Sequence, residues 1–170
     1  MSENEAKEIT SKELDFNFKY EITREPGGEN FMRCFQCGTC TGGCPIHSID
    51  PEYNCRRIIR MALLGLREEV LRSKFIWFCS TCYTCYERCP QDVKITEVMN
   101  VLKNIAVREG YIHPSFRVQL EALEKYGRLI EISEFEERIR AKAGLSPILD
   151  SSEEVKKIFK ITAIDKVVQK

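Results

Sequence analysis

Four cysteines separated by two, two and three residues and closed by a proline occur twice in this chain, as Cys34-x2-Cys37-x2-Cys40-x3-Cys44-Pro45 and as Cys79-x2-Cys82-x2-Cys85-x3-Cys89-Pro90. This spacing holds a cubane iron-sulfur cluster: three thiolates on one tight loop grip three irons, and the fourth, turned away by the proline, reaches the other cube. Two complete runs therefore predict two 4Fe-4S clusters with crossed ligands. Cys34, Cys37 and Cys40 are expected to act with Cys89, and Cys79, Cys82 and Cys85 with Cys44. Clusters of this kind move electrons, so electron transfer is the leading function.

Other uses of cysteine fit less well. Zinc takes four ligands as two separated pairs in a closed tetrahedron and has no need of four cysteines at this spacing before a proline. A disulfide scaffold would suit nine cysteines in 170 residues, but the number is odd and the start, Met1-Ser2-Glu3-Asn4-Glu5, is acidic and lacks the apolar core of a secretory signal. The ninth cysteine, Cys55, stands outside both runs and reads as a small buried hydrophobe. His47 and His113 read as loop histidines, since eight cysteines already complete both cubes.

Charge excludes further classes. Lys plus Arg equals Asp plus Glu at 26 each, leaving no basic field for nucleic acid and no acidic tail. The longest apolar stretches, Ile58 to Leu66 and Phe75 to Cys79, fall short of the roughly 20 residues of a membrane span. The expectation is a soluble protein of the reducing cytoplasm, where oxygen-sensitive clusters persist.

Along the chain, residues 1–12 are polar. Leu14, Phe16, Phe18, Tyr20 and Ile22 then alternate with Asp15, Asn17, Lys19 and Glu21, the period of a half-buried strand, stopped by Glu25-Pro26-Gly27-Gly28. From Cys55 the apolar positions Ile58, Ile59, Ala62, Leu63 and Leu66 recur at helical spacing, with Gly65 interrupting or ending the helix, and Glu68 to Arg72 can add a short turn. Ile95, Val98, Met99, Leu102, Ile105 and Ala106 mark a longer helix closed by Gly110. Beyond His113-Pro114 come charged amphipathic segments: Val118, Leu120, Leu123 and Tyr126 on one face, a helix capped by Ser133 and stopped by Gly144, and a last one opened by a Ser151/Glu154 capping box. The fold class is mainly α: an alpha-helical ferredoxin with two 4Fe-4S cluster loops and an N-terminal extended arm. Three parts are expected, an arm with a possible strand over 1–30, a helical ferredoxin domain over 31–112 and a helical extension over 113–170.

The two loops differ in composition. Gly38, Gly42 and Gly43 in the first permit unusual backbone angles and close N–H approach to sulfur. The second carries Ser80, Thr81, Tyr83, Thr84 and Tyr86 behind Phe75, Ile76, Trp77 and Phe78, which predicts a more apolar shell and a cluster harder to reduce. No dinucleotide or nucleotide motif and no nucleophile with a paired base is present, so no catalytic residue is assigned. A chain with two clusters and no substrate motif reads as a relay whose terminal chemistry lies elsewhere.

The stretch Cys34-Phe35-Gln36-Cys37-Gly38-Thr39-Cys40-Thr41-Gly42-Gly43-Cys44-Pro45, the segment Arg56-Arg57-Ile58-Ile59-Arg60-Met61-Ala62-Leu63-Leu64-Gly65 and the second run from Cys79 to Pro90 resemble the iron-sulfur C-subunit of soluble CoB-CoM heterodisulfide reductase. The resemblance is strong from Cys34 to Gly110 and looser in both tails. It implies an iron-sulfur relay linking the flavin-bearing, iron-sulfur A-subunit of that enzyme to its catalytic B-subunit, which reduces the mixed disulfide of coenzymes M and B in methanogenesis. It further implies coupling through flavin-based electron bifurcation, with electrons from a hydrogenase or formate dehydrogenase. The family's cluster ligands fall on the eight cysteines already named. The alternative is a relay subunit of a related oxidoreductase, heterodisulfide-reductase-like or of the succinate dehydrogenase/fumarate reductase type; the plant-type 2Fe-2S cysteine set usual in the latter has no counterpart before Cys34. A metal-stapled adaptor module is the reading from another class, and reversible redox cycling separates it from a relay.

Overall fold

A computed structural model describes residues 10–149 and 151–168, with two compact units, Met1–Tyr111 and Ile112–Lys170. Most of the polar stretch 1–12 lies outside the described residues. Among those described the secondary structure is helical, with no strand.

The first unit begins with a 3-10 turn at Ser11–Glu13 and a helix at Phe18–Arg24 (α1). A helix here overturns the strand expected over Leu14–Ile22. A period of two contains a period of four, and the structure uses only the latter: Phe18 and Ile22 are fully buried, Leu14 is half-buried, and Phe16 and Tyr20 point to solvent. Instead of an extended arm, the segment is a helix of the core, with α1 packed on two later helices, Cys55–Leu64 and Ile95–Arg108.

Arg67 fixes its position. The guanidinium lies 4.9 Å from the Phe18 ring centroid, reaches Asp15 at 3.2 Å, and pairs with Glu21 and Glu109. Gly65 supports the same join from the backbone. At φ +85° it lets Asp15 N–H donate to its carbonyl at 2.8 Å, and a Cβ there would stand 2.4 Å from the Asp15 carbonyl oxygen.

After a 3-10 turn at Phe31–Arg33, the first cysteine run carries short helices at Thr39–Gly42 (α2) and Pro45–Ile49 (α3). Next come Cys55–Leu64 (α4), capped by the Asn54 side chain on Arg57 N–H and ended by Gly65 as expected, and Arg67–Leu71 (α5). A third 3-10 turn, Lys74–Phe78, leads into the second run with its own short helix at Thr84–Glu87 (α6), followed by Ile95–Arg108 (α7). The unit thus repeats one plan twice: 3-10 turn, cysteine loop, short helix, long helix. Phe31 and Ile76, one from each 3-10 turn, are both fully buried. α2 packs on α4, α6 packs on α7, and α2 and α6 pack on each other, which sets the two cysteine runs side by side over a core of Tyr53, Ile59, Val93, Met99 and Leu102.

The second unit contains helices at Pro114–Tyr126 (α8), Glu134–Lys142 (α9), Ser152–Thr162 (α10) and Asp165–Val168 (α11). α8 packs on α10 and α11, and Phe159 is buried. Ser133 opens α9 with the expected cap, a capping box with Glu136. The Ser151/Glu154 box does not form: Ser151, at φ −113° and ψ 13°, departs from the extended backbone of a capping residue, and its hydroxyl donates to the Gly127 carbonyl at 3.1 Å. Among the described residues no helix is long and apolar enough to cross a membrane.

Candidate metal centre

The two runs share one local geometry. Each first cysteine ends a 3-10 turn in extended conformation, Cys34 at φ −65°, ψ 113° and Cys79 at φ −57°, ψ 116°. In each, the chain enters the left-handed region at two matching positions, Gln36 (φ 65°) and Gly38 (φ 88°) in the first, Thr81 (φ 51°) and Tyr83 (φ 60°) in the second. These bends wrap the loop around its own centre, at a cost that three non-glycine residues accept. Of the three glycines in the first loop only Gly38 has a positive φ, at the position that Tyr83 fills in the second; Gly42 sits within α2 and Gly43 caps it at φ −101°. The short helices close alike, with Gly42 N–H on Gly38 O at 3.0 Å and Glu87 N–H on Tyr83 O at 3.1 Å.

Exposure follows the same order in both runs: the first cysteine half-buried, the second exposed, the third buried and the fourth half-buried. Hydrogen bonding from Thr39 holds the Cys37 thiol below its ordinary value, and Thr84 does the same for Cys82. Such thiols ligate readily, because the thiolate is the metal-binding form. Burial pushes Cys40 and Cys85 the other way. Neighbours from both runs add to burial: Cys79 and Cys82 of its own loop and Cys44 of the other push the Cys85 thiol up, and after burial Cys55, Cys79 and Cys44 do the same for the Tyr53 hydroxyl.

Further donors point at sulfur. Gln36 Nε2 lies 3.3 Å from Cys34 Sγ, Val93 N–H donates to Cys89 Sγ at 3.3 Å, and the Thr96 hydroxyl is 3.4 Å from Cys85 Sγ. Sequence reasoning missed Gln36, Val93 and Thr96 as sulfur partners, and nothing in residue type alone marks them. Both histidines bond locally, His47 Nδ1 with the Tyr53 carbonyl at 2.6 Å and His113 Nδ1 with the Ser115 hydroxyl at 2.6 Å.

This donor set fits cubane clusters. It is all thiol, arranged as two matching loops, with hydrogen-bond donors aimed at the sulfurs to stabilise negative charge there. Among the described residues no three His, Cys, Asp or Glu side chains converge on a point that could hold one metal ion. A single zinc would draw its thiolates to about 2.3 Å, whereas a cube spreads them over four irons.

Cys55 is 2% exposed at the start of α4, its thiol pushed up first by burial and then by Cys44, Cys40 and Cys85 nearby. It is a neutral filler between the two loops. Cys55→Ala is expected to keep both clusters and to cost on the order of 1 kcal/mol of stability. Iron content and a denaturation curve check this, and loss of a cluster from a folded chain would overturn it.

Comparison with known proteins covers the same region of the chain. The family described as the 4Fe-4S dicluster domain matches residues 30–93, which contain both runs. Over 94% of this chain and 92% of its own length, the iron-sulfur C-subunit 2 of the CoB-CoM heterodisulfide reductase of Methanocaldococcus jannaschii is 39% identical. The corresponding iron-sulfur C-subunit of Methanopyrus kandleri is 38% identical over 94% of this chain and 90% of its own. For the C-subunit of the H2:CoB-CoM heterodisulfide,ferredoxin reductase of Methanothermobacter thermautotrophicus the figures are 35%, 94% and 89%. With its two cysteine runs on a helical frame and this likeness along nearly its whole length, the chain belongs to the family of iron-sulfur C-subunits of heterodisulfide reductase.

Proposed function

We propose that this chain is the electron relay of a cytoplasmic heterodisulfide reductase, carrying electrons from the flavin-bearing A-subunit to the catalytic B-subunit, which reduces CoM-S-S-CoB. Upstream, a hydrogenase or formate dehydrogenase feeds the flavin subunit, with bifurcation at its flavin. The chain would hold two 4Fe-4S clusters, one on Cys34, Cys37, Cys40 and Cys89 and one on Cys79, Cys82, Cys85 and Cys44. When bound, such clusters supply reversible one-electron uptake and release. The observation that carries the reading is the pairing of two matching thiol loops through α2 and α6, each presenting its second cysteine at the surface.

The protein's own residues divide the work. Buried Cys40 and Cys85 hold the inner edge of each site, and Tyr53, Cys55, Ile59 and Met99 keep water out of the space behind them. Exposed Cys37 and Cys82 form the outer edges, flanked by Phe35 at 60% and Tyr83 at 43% exposure. Apolar side chains beside an accessible ligand suit docking of a partner protein, since contact there excludes water and shortens the electron's path. Both sites are filled by cysteine, so neither offers an open iron to a disulfide.

The full-length chain, purified anaerobically, is accordingly expected to carry about eight irons and to cycle reversibly with artificial dyes, as two complete sets of four cysteines require. It should not reduce CoM-S-S-CoB until the flavin and catalytic subunits are added. Reduction by the chain alone, or iron fixed at about four after reconstitution, contradicts the reading.

A further inference from the structure

The likeness of the two runs isolates one difference between them. In both, the second cysteine meets the hydroxyl of the threonine two residues on, Cys37 with Thr39 at 3.3 Å and Cys82 with Thr84 at 3.5 Å. The third cysteines part company. The hydroxyl nearest Cys40 is that of Thr41, 4.0 Å away; it donates to Asn54 Oδ1 at 3.0 Å and accepts Arg56 N–H at 3.0 Å. A hydroxyl has one proton, so Thr41 has none to give Cys40. At Cys85 the corresponding group is Thr96, in the first turn of α7, 1% exposed and 3.4 Å from the sulfur. As a cluster ligand Cys85 carries no proton, so the hydrogen in this pair belongs to Thr96.

We propose that Thr96 sets the reduction potential of the cluster held by Cys79, Cys82, Cys85 and Cys44 by donating its hydroxyl proton to Cys85 Sγ, a role that rests on the cluster assignment above. Reduction places extra negative charge on the cube and its thiolates. A donor already aimed at one of those sulfurs stabilises the reduced form more than the oxidised form and raises the potential. Burial keeps water from replacing the bond or screening it. The first set has its own donors in Gln36 and Val93, so the inference concerns what Thr96 does to its own cluster and not the order of the two potentials.

The test is a potentiometric titration of the full-length, cluster-loaded chain followed by electron paramagnetic resonance. Cys37→Ser and Cys82→Ser, which each perturb one loop, assign the two signals. Thr96→Val and Thr96→Ala both remove the hydroxyl but pack differently, while Thr96→Ser keeps it. The expected result is a more negative potential for the second-loop cluster in Val and Ala alike, by about fivefold in its reduced-to-oxidised ratio at fixed ambient potential, taking the net worth of one hydrogen bond. At 59 mV per tenfold for one electron, that is about 40 mV. The other cluster should hold its potential, and Ser should restore the parent value. Full iron with unchanged potentials in both Val and Ala overturns the role of Thr96, as does an equal shift of both clusters. Absence of a second-loop cluster from the parent chain instead overturns the assignment itself, and the iron count distinguishes that outcome.

Discussion

Cys44→Ala is expected to remove the cluster gripped by Cys79, Cys82 and Cys85 and to leave the one on its own loop. Iron should fall from about eight to about four per chain, and the surviving signal should be the one that Cys37→Ser alters. The reason is directional. Cys44 precedes Pro45 at the start of α3 with φ −84° and ψ 122°, an extended residue that turns the chain out of the α2 turn. It lies close to the second loop: after burial, Cys79, Cys82 and Cys44 are neighbours that raise the Cys85 thiol. The packing of α2 on α6 is what brings a residue from one loop within range of the other. Cys89→Ala should produce the reciprocal loss. If Cys44→Ala extinguishes the first-loop signal alone, each loop ligates its own cube and the crossed sets are wrong.

Some of this could be read from the sequence because local rules sufficed. Cysteine spacing marks both loops, apolar periodicity marks α4 and α7, and Gly65 and Gly110 mark their ends; none needs knowledge of a distant partner. The rest depended on contacts between elements. The alternation from Leu14 to Ile22 satisfies a strand and one face of a helix equally well. What decides between them is Arg67, far along the chain, whose guanidinium covers Phe18 and pairs with Glu21, a residue the helix holds on the neighbouring face. Ser151 shows the same limit on a smaller scale, since its backbone, at φ −113° and ψ 13°, is not the extended one a capping residue adopts. The difference between Thr41 and Thr96 is the least legible of all. Both are threonines near a third cysteine, and only the position of Asn54 and Arg56 against Thr41 decides where each proton goes.

The first helix offers the other large effect, and a direct choice between the two readings of its sequence. Phe18→Ala should destabilise the cluster-loaded chain by about 3–5 kcal/mol, the usual cost of emptying a fully buried aromatic site. That is a large share of the roughly 5–15 kcal/mol that holds a domain together, so clusters should be lost at much lower denaturant or temperature. Phe16→Ala, at a position 61% exposed, should change stability by no more than about 0.5 kcal/mol. A strand would place Phe16, Phe18 and Tyr20 on one face and penalise their loss alike; the helix buries Phe18 and Ile22, a turn apart, and leaves Phe16 and Tyr20 in solvent. Deleting the chain through Ile22 should therefore unfold the cluster unit. The measurement is a denaturation curve followed by cluster absorbance for each variant, and comparable losses from Phe16→Ala and Phe18→Ala would return the segment to a strand.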